Sequence, residues 1–414
     1  MGLDAGCGRS TIPQFVLADI DVGPSEQVQM PPGSLRLTPL ISDLRKNTMK
    51  YTLGAIALAL SAPAAFAQSS VTIYGIVDLD GQYLSGHTKD VLVTSGGQSG
   101  SRIGFKGSED LGSGYFADFV LEGGINVDTG GSAQGGQLFG RQAFGALRTP
   151  FGTASAGRQY GSIFTQTSDF SEFSNVSVGA TTAVIGGFAG GYEPIRGSAN
   201  NATTSTPTGS ELNGSPARVN NSFRYTTPVF EGVKASFLYG AGEVTGDWNT
   251  RLLDYSVRYT NYGLDAMVSY VTDKANTTAA ANAQTNVGIT TVSASYTFGS
   301  FKVQGGYLGL NDKRPANLDG KGYWVGGDFK QGQNVFRLQW VQNKPEHTTV
   351  GKTNAIGVGY EFDFSKRTDL YTSFTRFQNS GTGLGRIGGA VPAGLTIAGD
   401  TSVNEFVLGV RHSF

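Results

Sequence analysis

The stretch Arg251-Leu252-Leu253-Asp254-Tyr255-Ser256-Val257-Arg258-Tyr259-Thr260 decides the fold. Successive side chains of an extended chain point to opposite sides. Leu253, Tyr255, Val257 and Tyr259 therefore share one face, and Asp254, Ser256, Arg258 and Thr260 share the other. The pattern continues outward from this stretch. Leu264, Ala266, Val268 and Tyr270 oppose Asp265, Met267, Ser269 and Val271. Val292, Ala294, Tyr296 and Phe298 oppose Ser293, Ser295 and Thr297, and Ile356, Val358, Tyr360 and Phe362 oppose Gly357, Gly359 and Glu361. Each segment is a strand with one apolar and one polar face.

A soluble β-sandwich would alternate in the same way, so length and spacing must discriminate. The strands run about ten residues, as a tilted bilayer-spanning strand requires. Tight turns at Thr149-Pro150, Asn261-Tyr262, Phe298-Gly299-Ser300, Gln331-Gly332 and around Ser365-Lys366-Arg367 alternate with long polar stretches. These stretches cover about 81–99, 123–136, 159–216, 273–285, 311–319 and 380–401. Short turns on one side and long loops on the other are the pattern of a membrane barrel. Sixteen strand starts are read near 71, 100, 114, 137, 151, 217, 232, 250, 263, 286, 300, 320, 333, 351, 368 and 402. An even number lets the first and last strands pair and leaves no edge. The expected fold is all-β: a sixteen-stranded antiparallel transmembrane β-barrel with an inward-folded constriction loop.

Composition agrees. Of 414 residues, 61 are glycine and 42 are Phe or Tyr, which favours β-structure with many turns. Lys and Arg number 31 against 32 Asp and Glu, so charge gives no argument for a nucleic-acid partner. Mean hydropathy is slightly negative, which excludes a helical membrane protein but not a barrel whose strands are half polar.

The N-terminal part reads differently. Residues 1–48 carry Pro, Gly and scattered charges without a sustained period, as a disordered extension ahead of the true start would. Met49-Lys50, the apolar run from Tyr51 to Ala65 and Ala65-Phe66-Ala67 have the basic, apolar and A-x-A parts of a secretory signal peptide at 49–67. The barrel is then 68–414. The single cysteine, Cys7, falls ahead of it, so no disulfide or thiol site is expected in the barrel.

Tyr115, Phe230, Tyr259, Tyr262, Phe298, Phe301, Phe329, Phe362 and Phe364 recur near strand ends, as interface girdles do. Phe406, Leu408, Val410 and Phe414 alternate up to the last residue, in a pattern that resembles the signal read by outer-membrane barrel assembly machinery.

Several longer motifs resemble the general diffusion porins of beta-proteobacteria. They are Ser69-Ser70-Val71-Thr72-Ile73-Tyr74-Gly75-Ile76-Val77-Asp78, the run from Ser101-Arg102-Ile103-Gly104 to Asp110-Leu111-Gly112, and Gly157-Arg158-Gln159-Tyr160. Asn220-Asn221-Ser222-Phe223-Arg224-Tyr225 and Gly409-Val410-Arg411-His412-Ser413-Phe414 continue the match in order. The resemblance implies a homotrimeric channel for passive diffusion of ions and small hydrophilic solutes across the Gram-negative outer membrane. Its surroundings would be lipid and lipopolysaccharide, and no cofactor, metal or nucleic acid is implied.

In such a channel a loop narrows the lumen, and opposed charges there discriminate solutes. The loop expected here is about Gln159–Pro216, with Asp169 and Glu172 as its acidic constriction residues. Arg102, Arg141 and Arg218 match positions where the resemblance implies constriction arginines, and Arg158 lies beside the start of the loop. Lys106, Arg224 and Glu193 read as solvated lumen or loop charges. The excess of arginine predicts a weak anion preference.

Other functions find less support. His87, His347 and His412 are scattered, and no nucleophile-and-base order or phosphate-binding glycine motif emerges, so no enzyme is expected. A substrate-selective channel would need an aromatic ladder or binding cluster along the lumen. A glycine-rich adhesin would need short internal repeats.

Overall fold

The computed structural model describes residues 70–85, 90–173, 214–215, 217–241, 251–274, 286–312, 319–346, 352–380 and 402–414. Two compact units divide the chain, Met1–Ala65 and Phe66–Phe414, and every described residue belongs to the second. The expected extension at 1–48 and signal peptide at 49–67 lie outside the described residues, as do His87, His347, Glu193 and the loop from 174 to 213.

Sixteen antiparallel strands make one closed sheet among the described residues. They are β1 (Ser70–Ser85), β2 (Asp90–Ser95 continued by Arg102–Gly112), β3 (Tyr115–Asn126), β4 (Gln142–Thr149), β5 (Gly152–Tyr160), β6 (Arg218–Thr226), β7 (Val233–Ala241) and β8 (Arg251–Asn261). The circuit continues with β9 (Leu264–Lys274), β10 (Asn286–Phe298), β11 (Phe301–Asp312), β12 (Gly320–Gln331), β13 (Asn334–Pro345), β14 (Thr353–Asp363), β15 (Thr368–Asn379) and β16 (Ser402–Ser413). Each pairs with the next, and β1 pairs with β16 from Ile76↔Ser413 to Ser85↔Asn404. Closure satisfies the backbone groups that an open edge would leave bare in lipid.

The faces sort as the alternation demands. On β8, Tyr255 and Val257 point outward and are exposed, while Leu252 and Asp254 are buried inside. Val268, Val292, Val303, Val325, Leu338 and Val358 continue the outward apolar belt round the wall. The inner face carries Ser269, Thr291, Ser293, Gln304, Gln339 and Thr375. This arrangement inverts a soluble core. At the short-turn end, aromatic rings follow one another across β10 to β14. Phe298–Phe301, Phe301–Phe329, Phe329–Phe336 and Phe336–Tyr360 have centroids 5.7, 4.6, 6.5 and 5.2 Å apart. Such a row suits the membrane interface, where amphipathic rings sit at headgroup level.

Phe406, Leu408, Val410 and Phe414 lie on the outward face of the final strand. The backbone of Phe414 exchanges hydrogen bonds with Gly75, at 3.2 and 3.1 Å. Its ring lies over Gly75, where a methyl group would collide with it.

Two boundaries depart from the expected ones. The stretch 81–99 is mostly strand: β1 runs to Ser85 and β2 begins at Asp90 rather than near 100. Val91 and Val93 point outward, and Leu92 and Thr94 inward, so even this polar run alternates. The fourth strand begins at Gln142 rather than near 137. Strand length also varies more than a uniform ten, from 8 residues in β4 to 16 in β1, with 6 and 11 in the two parts of β2.

Candidate pore constriction

The chain leaves the wall after β5. Gly157 has a φ of 134° there, and the pairing of β5 with β6 slips between Gly157 and Gln159. A side chain at Gly157 would run into the backbone of Ala143 and Phe144. Only glycine fits this bulge. Past it, Tyr160 stacks on Phe164 at 3.9 Å, and helix α1 (Ser162–Asp169) begins.

From α1 onward the chain crosses the inner wall rung by rung. The Ser162 amide donates to Asp254 on β8 at 2.7 Å, and the Gln166 side chain bonds Ser269 on β9 at 2.5 Å and Ser293 on β10 at 3.0 Å. Trp324 on β12 donates to the Phe170 carbonyl at 2.7 Å. Gln304 on β11 donates to the Glu172 carboxylate at 2.7 Å, and the Glu172 amide donates to Gln339 on β13 at 2.6 Å. Phe173 lies against Gly359 on β14, where a Cβ would come within 2.7 Å of its ring. Six strand spacings span about 29 Å of arc. Eight helical residues and four extended ones supply about 25 Å, enough for the shorter chord. This segment is the described part of the expected constriction loop, and it lies inside the barrel.

The four predicted arginines meet on the opposite wall. Arg141, buried just before β4, is held by Glu122 on β3 at 2.8 Å. Arg218, buried on β6, lies 5.6 Å from the Tyr160 ring and 5.4 Å from the Phe164 ring. Arg141 lies 5.8 Å from Tyr160. Arg102 donates from Nε to the Gly100 carbonyl at 2.8 Å. Arg158 donates from Nε to the Gly140 carbonyl at 2.8 Å and also reaches Asn220. Stacked rings hold guanidinium planes without neutralising them. Among the described residues Glu122 is the one carboxylate bonded into this group, and it also accepts from the hydroxyls of Tyr160 at 2.8 Å and Tyr74 at 3.0 Å.

Glu172 lies across the lumen from Glu122 and Arg141, whereas Asp169 is held at β8, two strands from Arg218 on β6. Glu172 is fastened to β11 and β13, which lie eight and six strands from β3 in a ring of sixteen, hence about half a circumference away. Asp169 pairs with Arg258 at 2.7 Å, and Arg258 also pairs with Asp265 at 2.5 Å. Burial and the neighbouring Asp328 push the Glu172 carboxyl up to about 7 from the ordinary value of 4.5. Of the residues read as bland, Lys106 sits 5.1 Å over Tyr74, and Arg224 binds the Tyr160 carbonyl.

Glu122, Tyr74, Tyr160 and Arg258 have no part in the site expected from sequence. Glu122 had a usable signal. A hairpin folded at Gly112–Tyr115 places it opposite Gly104, between Arg102 and Lys106. The partnership of Arg258 with Asp169 joins residues 89 apart through barrel closure, and no local pattern announces it.

The sequence matches the Gram-negative porin family over residues 54–382. It is 32% identical over 378 residues to outer membrane porin protein 32 of Delftia acidovorans, covering 88% of this chain and all of that one. An anion-selective porin from Comamonas acidovorans superposes with a TM-score of 0.69 at 28% identity, over 84% of this chain and all of that one. OmpT of Vibrio cholerae in a trimer form shares the fold, with a TM-score of 0.55 at 16% identity over 84% of this chain and 99% of that one. A closed sixteen-stranded barrel with an apolar belt, an inward loop and this breadth of match places the chain in the Gram-negative porin family of the outer membrane.

Proposed function

We propose that this porin is a passive diffusion channel for ions and small hydrophilic solutes whose constriction favours anions. One observation carries the preference. Four guanidinium groups, Arg102, Arg141, Arg158 and Arg218, stand on the wall from β2 to β6 with Glu122 as the one carboxylate among the described residues bonded to them. On β8, two strands along from β6, Asp169 is engaged by Arg258, so its charge is offset. The resulting field points from arginine wall to loop and raises the local concentration of anions. The anion-selective Comamonas porin at 28% identity supports the same reading.

The working unit is a homotrimer, supported by the trimeric form of the OmpT fold relative. The outward alternation ending at Phe414 is the segment that assembly machinery recognises, and residues 49–67 are removed on export. Planar-bilayer recording of purified protein tests the channel. Conductance should rise in three equal steps per insertion and grow linearly with KCl. Saturation at low salt would point to a solute-binding channel instead, and a single step per insertion would refute the trimer. N-terminal sequencing of outer-membrane material should begin at Gln68.

A further inference from the structure

The constriction loop is not the only element that enters the lumen. β2 is interrupted at Gly96–Ser101, and Gly96 has a φ of 91°. This kink folds over the inner face of its neighbours. Asp78 on β1 accepts from the amides of Gln98 at 2.9 Å and Ser99 at 2.5 Å, and from the Tyr371 hydroxyl on β15 at 2.5 Å. Gly97 fits because it has no side chain, since a Cβ would lie 2.7 Å from the Asp80 carboxylate and collide with the Tyr371 hydroxyl. Arg411 on β16 donates to Ser99 at 3.0 Å. The Gln98 side chain reaches Glu361 on β14. In ring order β2, β1, β16, β15 and β14 span four strand spacings, about 19 Å of wall. The far side of the kink faces the arginines, because the Gly100 carbonyl binds Arg102 and a Cβ on Gly100 would be 3.1 Å from Arg141.

The kink and the constriction loop meet. Gln98, Gly97 and Tyr371 border the same small cleft as Phe173 and Arg337. The described part of the loop covers the inner wall from β8 to β14, and the kink covers it from β14 through β16 and β1 back to β2. Both inserts border the arginines: Phe164 of the loop lies 5.4 Å from Arg218, and the Gly100 carbonyl of the kink binds Arg102.

Building on the channel reading above, we propose that Gly96–Ser101 is a second constriction element that confines the conducting path to the arginine wall and so sets the anion preference. Gln98 and Ser99 are its lumen-narrowing residues, and Asp78 and Tyr371 position it.

Two variants test this in planar bilayers. Deleting Gln98–Gly100 should raise single-channel conductance on the order of 1.5-fold and lower the anion preference, because ions gain a route away from the arginines. On a Cys7→Ser background, Gln98→Cys treated with a bulky charged thiol reagent should lose roughly half its conductance. Val93→Cys, whose side chain faces outward, should be unaffected by the same reagent. Thiol modification decides the matter if the deletion variant does not assemble. Unchanged conductance after modification at Gln98, or a deletion channel with the conductance and selectivity of the parent, would overturn the proposal. Absence of any conductance in the unaltered protein would instead overturn the channel reading itself.

Discussion

Replacing Glu122 by Gln removes the carboxylate bonded into the arginine wall, keeps an acceptor for Arg141 and Tyr160, and turns an amide NH2 to the Tyr74 hydroxyl, which accepts from it instead. The expected change in selectivity follows from Coulomb's law. At about 8 Å, the scale separating a wall group from an ion in the passage, a unit charge in water contributes about 0.5 kcal/mol before screening. A Debye length of about 10 Å at 0.1 M salt reduces this to about 0.2 kcal/mol. An anion gains and a cation loses that amount, so the anion-to-cation permeability ratio should rise roughly two-fold at 0.1 M. In 1 M salt, where the Debye length is about 3 Å, the difference should almost vanish. Zero-current potentials of parent and variant, measured across KCl gradients at both mean concentrations, give the ratio directly. The variant should remain a folded trimer on heat-titrated gels. An unchanged ratio at 0.1 M, or a change that persists in 1 M, would refute the idea that Glu122 acts through the field of this wall.

Glu172 gives the channel a pH dependence. Its carboxyl, pushed up to about 7, holds a proton more firmly in the folded loop than in the unfolded chain. Its contribution to loop anchoring is therefore complete below about 4.5 and is lost as pH rises through about 7. Anion preference should increase from pH 8 to pH 6 as this negative charge disappears, and Glu172→Gln should abolish the change. Val292 lies six residues, about 20 Å of strand, before Phe298 of the girdle, and tilt turns that into about 15 Å of depth, near the bilayer midplane. Val292→Arg should lower stability by about 2–4 kcal/mol in urea titrations of the protein folded into lipid vesicles. A cost below about 1 kcal/mol would mean that this face does not meet hydrocarbon. At Gly75, Ala would collide with the Phe414 ring and come within 2.5 Å of the Arg102 carbonyl. Gly75→Ala should cost about 1–3 kcal/mol and lower the temperature at which the trimer band dissociates on gels.

Most of the barrel is legible in residue alternation because a lipid-facing strand needs an apolar side chain at every second position. Arg251–Thr260 alone gives the register of β8, and the tight turns at Asn261-Tyr262 and Gln331-Gly332 fix which strands are neighbours. The kink at Gly96–Ser101 escapes that logic. Its Ser and Gly residues look like an outer loop, yet Asp78 and Tyr371 hold them inside, and Tyr371 reaches Asp78 only because β15 and β1 flank β16. Arg102, Arg141 and Arg218 are found by resemblance and Arg158 by its place beside the loop, and the grouping depends on the stacked rings of Tyr160 and Phe164, which the bulge at Gly157 carries inward. Pairs such as Asp169–Arg258 arise from the curvature of the closed wall, a property that no window of sequence contains.

The most direct test of a positively charged passage is the zero-current potential of the unaltered trimer across a ten-fold KCl gradient at neutral pH. The side with dilute salt should become negative relative to the concentrated side, as chloride outruns potassium down the gradient. A potential of the opposite sign would mean that cations are preferred and that Arg102, Arg141, Arg158 and Arg218 do not govern the path.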